Sequence, residues 1–231
     1  MLVELDGARL LTDPVLRGRL AHLRWAGSPL PGLPEGLDAV LVSHVHWDHL
    51  DLPSLARLGR GTRLLVPRGA GGLLRRRMFR NVEELRAGDE TRIGDETVAA
   101  VPAVHEARRL PLGPLADSLG FVLSGSRRIY FAGDTDLFDG MSELRPLDLA
   151  LVPISGWGPK TGPGHLDPER AARALELLAP RVAVPIHWGT LHRIGAPLPP
   201  EEPALEFARL AGRLAPDVEV RVLRPGETTE T

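Results

Sequence analysis

The chain of 231 residues is long enough for one large domain or two small ones. Hydrophobic residues make up 43% and charged residues 25%, an ordinary globular balance that can fill a sizeable buried core. The formal net charge of −2 offers no bulk attraction for nucleic acid or an anionic membrane, and the absence of cysteine excludes disulfides, thiolate metal ligands and a thiol nucleophile.

The N-terminal run Met1-Leu2-Val3-Glu4-Leu5-Asp6-Gly7 has acids where a secretory signal would carry a basic and then an apolar stretch. No apolar run approaches the roughly 18 residues needed to span a bilayer. A soluble cytoplasmic protein is the expectation. In chain order, short apolar runs predict strands over Leu2–Leu5 and Ala39–Ser43, a helix over Leu52–Leu58, a strand over Arg63–Val66 and a helix over Gly72–Met78. Strands follow over Thr97–Val104, Leu119–Leu123, Arg128–Ala132 and Leu149–Ile154. The chain then alternates: a helix over Pro168–Leu178, a strand over Val182–Ile186, a helix over Pro203–Leu214 and a strand over Val218–Leu223. Asp167 is a good N-cap, Pro168 suits the first helical position and Glu169 favours the positive end of the helix dipole. Pro- and Gly-rich loops separate these elements at 27–36, 110–116 and 156–164. Strands outnumber helices and the helices separate sets of strands. The expected fold is therefore α+β, one domain over residues 1–231 with two sheets face to face and helices on the outside.

The densest chemistry lies in Ser43-His44-Val45-His46-Trp47-Asp48-His49-Leu50-Asp51, directly after an apolar strand. In an extended chain, residues two apart point the same way, so His44 and His46 can grip one metal ion. Asp48 and His49 fall where the chain turns toward the next helix and can face a second. Imidazole nitrogen and carboxylate oxygen suit zinc and its first-row neighbours. The remaining candidates each terminate an apolar strand: His105 after Val101-Pro102-Ala103-Val104, Asp134 after Ile129-Tyr130-Phe131-Ala132-Gly133, and His187 after Val182-Ala183-Val184-Pro185-Ile186. If those strand ends share one edge, all the candidates converge there.

The series His-x-His-x-Asp-His, then a His, then Gly133-Asp134-Thr135, then a final His resembles the metal-binding series of the metallo-β-lactamase superfamily, from residue 1 to about residue 226. The segments His165-Leu166-Asp167-Pro168-Glu169 and Pro185-Ile186-His187-Trp188-Gly189-Thr190 are most similar to the branch containing ascorbate-6-phosphate lactonase and the N-acylphosphatidylethanolamine-hydrolysing phospholipase D. The resemblance implies an αββα sandwich of two mixed sheets. It also implies a first divalent metal on His44, His46 and His105, a second on Asp48, His49 and His187, with Asp134 bridging both. Zinc is the first choice, manganese or iron the others. A bridging hydroxide would attack a phosphodiester, lactone or related ester. An iron oxygenase of the same fold and an RNA-processing nuclease are the rival readings; the nuclease would bring a basic face or an RNA-binding arm.

Asp48, Asp134 and His165 are the expected catalytic residues. His165 is expected near the metals but not among their ligands, placed to bind a substrate oxygen or protonate the leaving group. Arg109, four residues after His105, is expected to meet a substrate phosphate or carboxylate, with Arg108 as the alternative. Trp157, Trp188 and Phe138 are candidates for the pocket wall. His22 and His192 are read as ordinary loop residues. The run Arg75-Arg76-Arg77-Met78-Phe79-Arg80 reads as a solvated helix face. The expected partner is a small anionic ester or phosphodiester, not nucleic acid, and no membrane association is indicated.

Overall fold

The computed structural model describes residues 1–27, 30, 32–109, 113–154 and 162–231. Two mixed sheets dominate it. In the five-stranded sheet the order is Leu2–Leu5, Ala8–Thr12, Ala39–Leu41, Leu64–Pro67 and Val82–Leu85; the first pair is antiparallel and the rest parallel. The seven-stranded sheet runs Glu219–Val220, Val182–Ile186, Leu149–Pro153, Arg128–Phe131, Leu119–Ser124, Glu96–Pro102 and Glu90–Ile93. Its first four strands are parallel and the others join antiparallel.

The period of two along each strand sorts apolar side chains into layers. Leu10, Leu41 and Leu65 of the first sheet meet Phe121, Phe131, Leu151 and Val184 of the second in one buried cluster between the sheets. Their neighbours point outward. Leu11, Val40, Leu64 and Val66 pack with Leu55 of helix α1 (Leu52–Leu58) and Leu74 of helix α2 (Gly71–Arg76). Tyr130, Ala150 and Ala183 pack with Leu175 of helix α3 (Pro168–Leu178) and Phe207 of helix α4 (Glu202–Leu214). Helix, sheet, sheet, helix is thus the layer order, as expected.

Helix α3 begins as its sequence predicts: the Asp167 carboxylate accepts from the Arg170 backbone N–H at 2.8 Å, and Pro168 follows it. Such a cap contributes about 1 kcal/mol. Asp51 caps α1 in the same way through Ser54 N at 3.2 Å. Three strands of the main sheets were not expected: Ala8–Thr12, Val82–Leu85 and Glu90–Ile93. The last two lie at sheet edges and carry glutamates, so their hydrophobic alternation is weak. The expected strand Val218–Leu223 contracts to Glu219–Val220. In the arginine run, Arg75 is paired with Glu84 at 2.9 Å and Met78 is exposed, but Phe79 turns into the core. Among the described residues no helix is long and apolar enough to cross a membrane.

Registers align the strand ends. Thr12 pairs with Leu41, Phe131 with Leu151, Leu151 with Val184, and Pro102 with Leu119. The carboxyl ends of the parallel strands and of Glu96–Pro102, with the amino end of Leu119–Ser124, therefore share an edge in each sheet. The Leu119 N–H donates to the Ser43 carbonyl at 2.9 Å and laces the two sheets together there.

Candidate metal centre

Every residue of the expected ligand series reaches this edge. Nε2 of His44 lies 3.0 Å from Nδ1 of His46, which lies 3.1 Å from Nε2 of His105. Two nitrogens on one tetrahedral zinc, each about 2.0–2.1 Å from it, would stand about 3.3 Å apart. Nearby, Nε2 of His49 and Nε2 of His187 are 3.0 Å apart, and Asp48 Oδ2 is 3.5 Å from the His187 nitrogen. Asp134 lies between the two sets, with Oδ2 3.8 Å from His44 Nε2 and 3.2 Å from His49 Nε2, and Oδ1 3.5 Å from His187 Nε2.

The outward nitrogens set the tautomers. The Ser43 hydroxyl donates to Asp13 Oδ2 at 2.5 Å, so Nδ1 of His44 must supply the proton in its 3.0 Å contact with that hydroxyl. Nδ1–H of His49 donates to Asp13 Oδ2 at 2.7 Å, and Nδ1–H of His105 to the Gly164 carbonyl at 2.9 Å. Each ring, when neutral, thereby has its Nε2 lone pair turned inward, the arrangement a cation requires. Asp134 Oδ1, buried and without a hydrogen-bond partner among the described residues, points the same way. A lone pair cluster of this kind is costly unless a cation meets it, so the donor set fits divalent metal.

Without metal, the charges distribute unevenly. Burial drives the His44 imidazolium well below its ordinary range, and burial likewise brings His105 down to about 4. Burial opposes charge on His187 too, but Asp134 and Asp48 outweigh it and hold the group up at about 9. His49 is raised well above its ordinary value because Asp134, Asp48 and Asp13 overcome its burial. Burial works against the Asp134 carboxylate, yet His187 and His49 keep it well below the usual carboxylate range.

The backbone permits this convergence at one glycine in particular. Gly133 has φ +61°, and a Cβ there would stand 2.5 Å from Ser43 Cβ, so the Asp134 loop can press against the histidine loop only with glycine before the acid. Thr135 Oγ1 accepts from Val104 N at 2.9 Å and Asp136 N donates to Val104 O at 2.9 Å, tying the Asp134 loop to the His105 loop.

His165 joins the centre, with Nε2 3.4 Å from Asp134 Oδ2 and its ring 4.6 Å from that of His105. Its hydrogen bond to Asp134 holds its pKa up against burial. Arg109 does not match expectation. Its Nη1 donates to the carbonyls of Val45 at 2.9 Å and Leu50 at 2.8 Å, and its guanidinium lies 4.3 Å over the Trp47 ring. It braces the outer side of the ligand loop and is not among the groups lining the metal cleft, because the turn at His46–Leu50 offers two inward carbonyls that need a donor. Arg108 is exposed on the short Ala107–Arg108 strand. Trp188 lines the cleft as expected, donates from Nε1 to the Pro185 carbonyl at 3.0 Å and packs against the outer core, where Phe138 also packs. Trp157 lies outside the described residues. His192 sits on the small sheet formed with Leu23–Trp25, and His22 immediately precedes that strand; neither belongs to a group of described residues that could hold a metal.

Asp13 was missed. It accepts from Ser43 N at 2.7 Å, from the Ser43 hydroxyl and from His49, and so orients two ligands through one carboxylate. The signal was available: Asp13 follows the strand Ala8–Thr12, as the other acids and histidines follow theirs. The cleft that holds Asp48, His49, Asp134 and His187 also takes in Asp13, Trp25 and Leu33, and its volume is ≈ 1030 Å³.

Comparison with known proteins agrees with this geometry. The family model for the beta-lactamase superfamily domain matches residues 8–188. The UPF0173 metal-dependent hydrolase of Methanopyrus kandleri is 35% identical over 242 residues, covering 99% of this chain and 94% of its own. An N-acyl-phosphatidylethanolamine-hydrolyzing phospholipase D of Caenorhabditis elegans is 30% identical over 223 residues, covering 82% of this chain and 61% of its own. Among solved structures, the metallo hydrolase Igni18 of Ignicoccus hospitalis superposes with a TM-score of 0.75 at 26% identity, covering 99% of this chain and 92% of that one. The chain belongs to the beta-lactamase superfamily, among its metal-dependent hydrolases.

Proposed function

We propose that the protein is a dinuclear hydrolase acting on an anionic ester, with a phosphodiester as the first candidate. The observation that carries this is the buried Asp134 carboxylate between two sets of crowded imidazole nitrogens, its Oδ1 accepting no hydrogen bond among the described residues. In this reading His44, His46 and His105 hold one divalent ion, Asp48, His49 and His187 hold another, and Asp134 serves both. Zinc suits the donors best, and manganese or iron also fit. Bound metal would supply a hydroxide at neutral pH and offset the charge that builds up on the substrate's oxygens.

The chain's own groups do the rest. Asp13 fixes the ring of His49, and Gly164 O fixes that of His105. His165 stands beside Asp134, its Nε2 3.4 Å from Oδ2, and in this reading it is the proton donor. It delivers that proton to the departing oxygen. Trp25 and Leu33 give the cleft beside Asp48, His49, Asp134 and His187 an apolar wall. Likeness to a phospholipase D supports a phosphodiester with an apolar substituent.

Two measurements test this. Protein loaded with zinc and freed of excess should contain two ions per chain, and Asp134→Ala should lower that value. Hydrolysis of bis(p-nitrophenyl) phosphate should fall at least about 10³-fold in the same variant, the scale of losing metal-based charge stabilisation. One ion per chain at saturation would overturn the dinuclear reading, and undiminished hydrolysis by the variant would overturn the site.

A further inference from the structure

On the far side of the ligand loop is a second cavity, of ≈ 540 Å³, that no metal-ligand candidate lines. That is the size of a small-molecule site. Leu52 and Pro53 of α1, with Leu73 and Phe79, supply apolar wall. Four guanidinium groups line the same space: Arg17, Arg60, Arg77 and Arg109.

Among the described residues, Arg17 alone of the four forms an ion pair. Arg17 is held in a two-pronged pair by Asp51, at 2.9 and 2.7 Å. Arg60 donates to the Arg77 carbonyl and lies over the Phe79 ring at 5.5 Å. Arg109 spends Nη1 on two carbonyls, which carry no net charge. Among the described residues, Arg60, Arg77 and Arg109 have no carboxylate partner. Arg109 is only 5% exposed, so its charge is largely withdrawn from water, and Asp51, the carboxylate that acts on it, is already held by Arg17. One carboxylate shared by two guanidinium groups leaves positive charge in excess at a poorly hydrated site, and an anion in the cleft offsets it. Nε and Nη2 of Arg109 remain for that anion. A planar fork matches a carboxylate edge to edge, and the apolar wall calls for hydrocarbon beyond it.

We infer that this cavity is a binding site for a single-chain carboxylate of the medium-chain fatty-acid type. The carboxylate lies between Arg77 and Arg109, and the chain follows Leu52, Pro53, Leu73 and Phe79. The site is distinct from the metal centre and independent of the hydrolase reading, since it uses none of the ligand candidates. It is also joined to that centre: Trp47, under the Arg109 guanidinium, stands in sequence between His46 and Asp48. Occupancy should therefore register in tryptophan emission.

The test is titration of the intact protein with decanoate below its micelle concentration, followed by calorimetry and tryptophan fluorescence. One molecule should bind per chain, at least tenfold more tightly than 1-decanol or acetate. Arg60→Gln/Arg77→Gln should weaken decanoate at least tenfold, and Arg77→Glu alone should do so further; both change exposed side chains and leave the metal content intact. Asp134→Ala should bind decanoate as the native protein does. Equal affinity for decanol, or unchanged binding in the arginine variants, would overturn the proposal. So would loss of binding in Asp134→Ala, which would place decanoate at the metals. Binding to vesicles of anionic phospholipid with none to monomeric decanoate would also overturn it, in favour of a membrane-facing surface.

Discussion

The inner and outer faces of the loop 43–51 hold polar groups out of water in opposite ways. On the inner face, His44 and His49 spend one nitrogen on Ser43 or Asp13 and crowd the other against further imidazoles and Asp134. On the outer face, Arg109 satisfies the carbonyls of Val45 and Leu50 and covers the Trp47 ring. The inner face crowds metal-binding atoms together, and the outer face gives each carbonyl a donor. Substitutions behind the inner face should therefore act on metal affinity, and substitutions on the outer face on stability.

The largest effect is expected at Asp13. Asp13→Asn cannot accept from Ser43 N, the Ser43 hydroxyl and His49 together. Metal affinity should fall by up to about 100-fold, the range for losing a carboxylate that orients a ligand. Competition with a chromophoric chelator measures this. An unchanged affinity would mean that the inner face needs no support from outside the ligand set. Next is Arg109→Met, which keeps the aliphatic stem and removes the donor. Chemical denaturation should show a loss of about 2 kcal/mol, as for removing a charged hydrogen bond to buried carbonyls, with two metals still bound at saturation. If this variant instead loses metal affinity as severely as Asp13→Asn at unchanged stability, the two faces are one unit.

The smallest effect sharpens the inner face alone. In metal-free protein His187 titrates near 9, above an unfolded value near 6.5. A group raised on folding binds its proton more tightly in the native state. Its contribution is complete below pH 6.5 and is lost as pH rises through 9. The metal-free melting temperature should fall by a few degrees over that window. Stabilisation by added zinc should grow over the same window, because metal and protons compete for the same nitrogens. A metal-free melting temperature that rises from pH 6.5 to 9 would contradict the pairing of His187 with Asp134 and Asp48.

Much of the architecture was legible. Helix α3 has its expected bounds because Asp167 and Pro168 mark its start by local chemistry alone. The strands Leu2–Leu5 and Val182–Ile186 also stand as read, since their apolar runs are uninterrupted. Ala8–Thr12 was not read, because Arg9 breaks its short apolar run, and with it went Asp13. The edge strands Val82–Leu85 and Glu90–Ile93 carry too many glutamates to show a buried face.

By itself, the sequence determined the residue types at the centre and their position at strand ends, because period-two alternation and capping act within a few residues. It also determined the two-sheet sandwich, through the order of its apolar runs. Only the tertiary structure decided which side of the ligand loop Arg109 occupies, and that Asp13 stands behind His49. The reason is that both depend on contacts between segments far apart in the chain. Arg109 reaches carbonyls 64 and 59 residues away, and Asp13 reaches a histidine 36 residues away. A local pattern carries the chemistry of a side chain but not the side from which distant backbone will approach it.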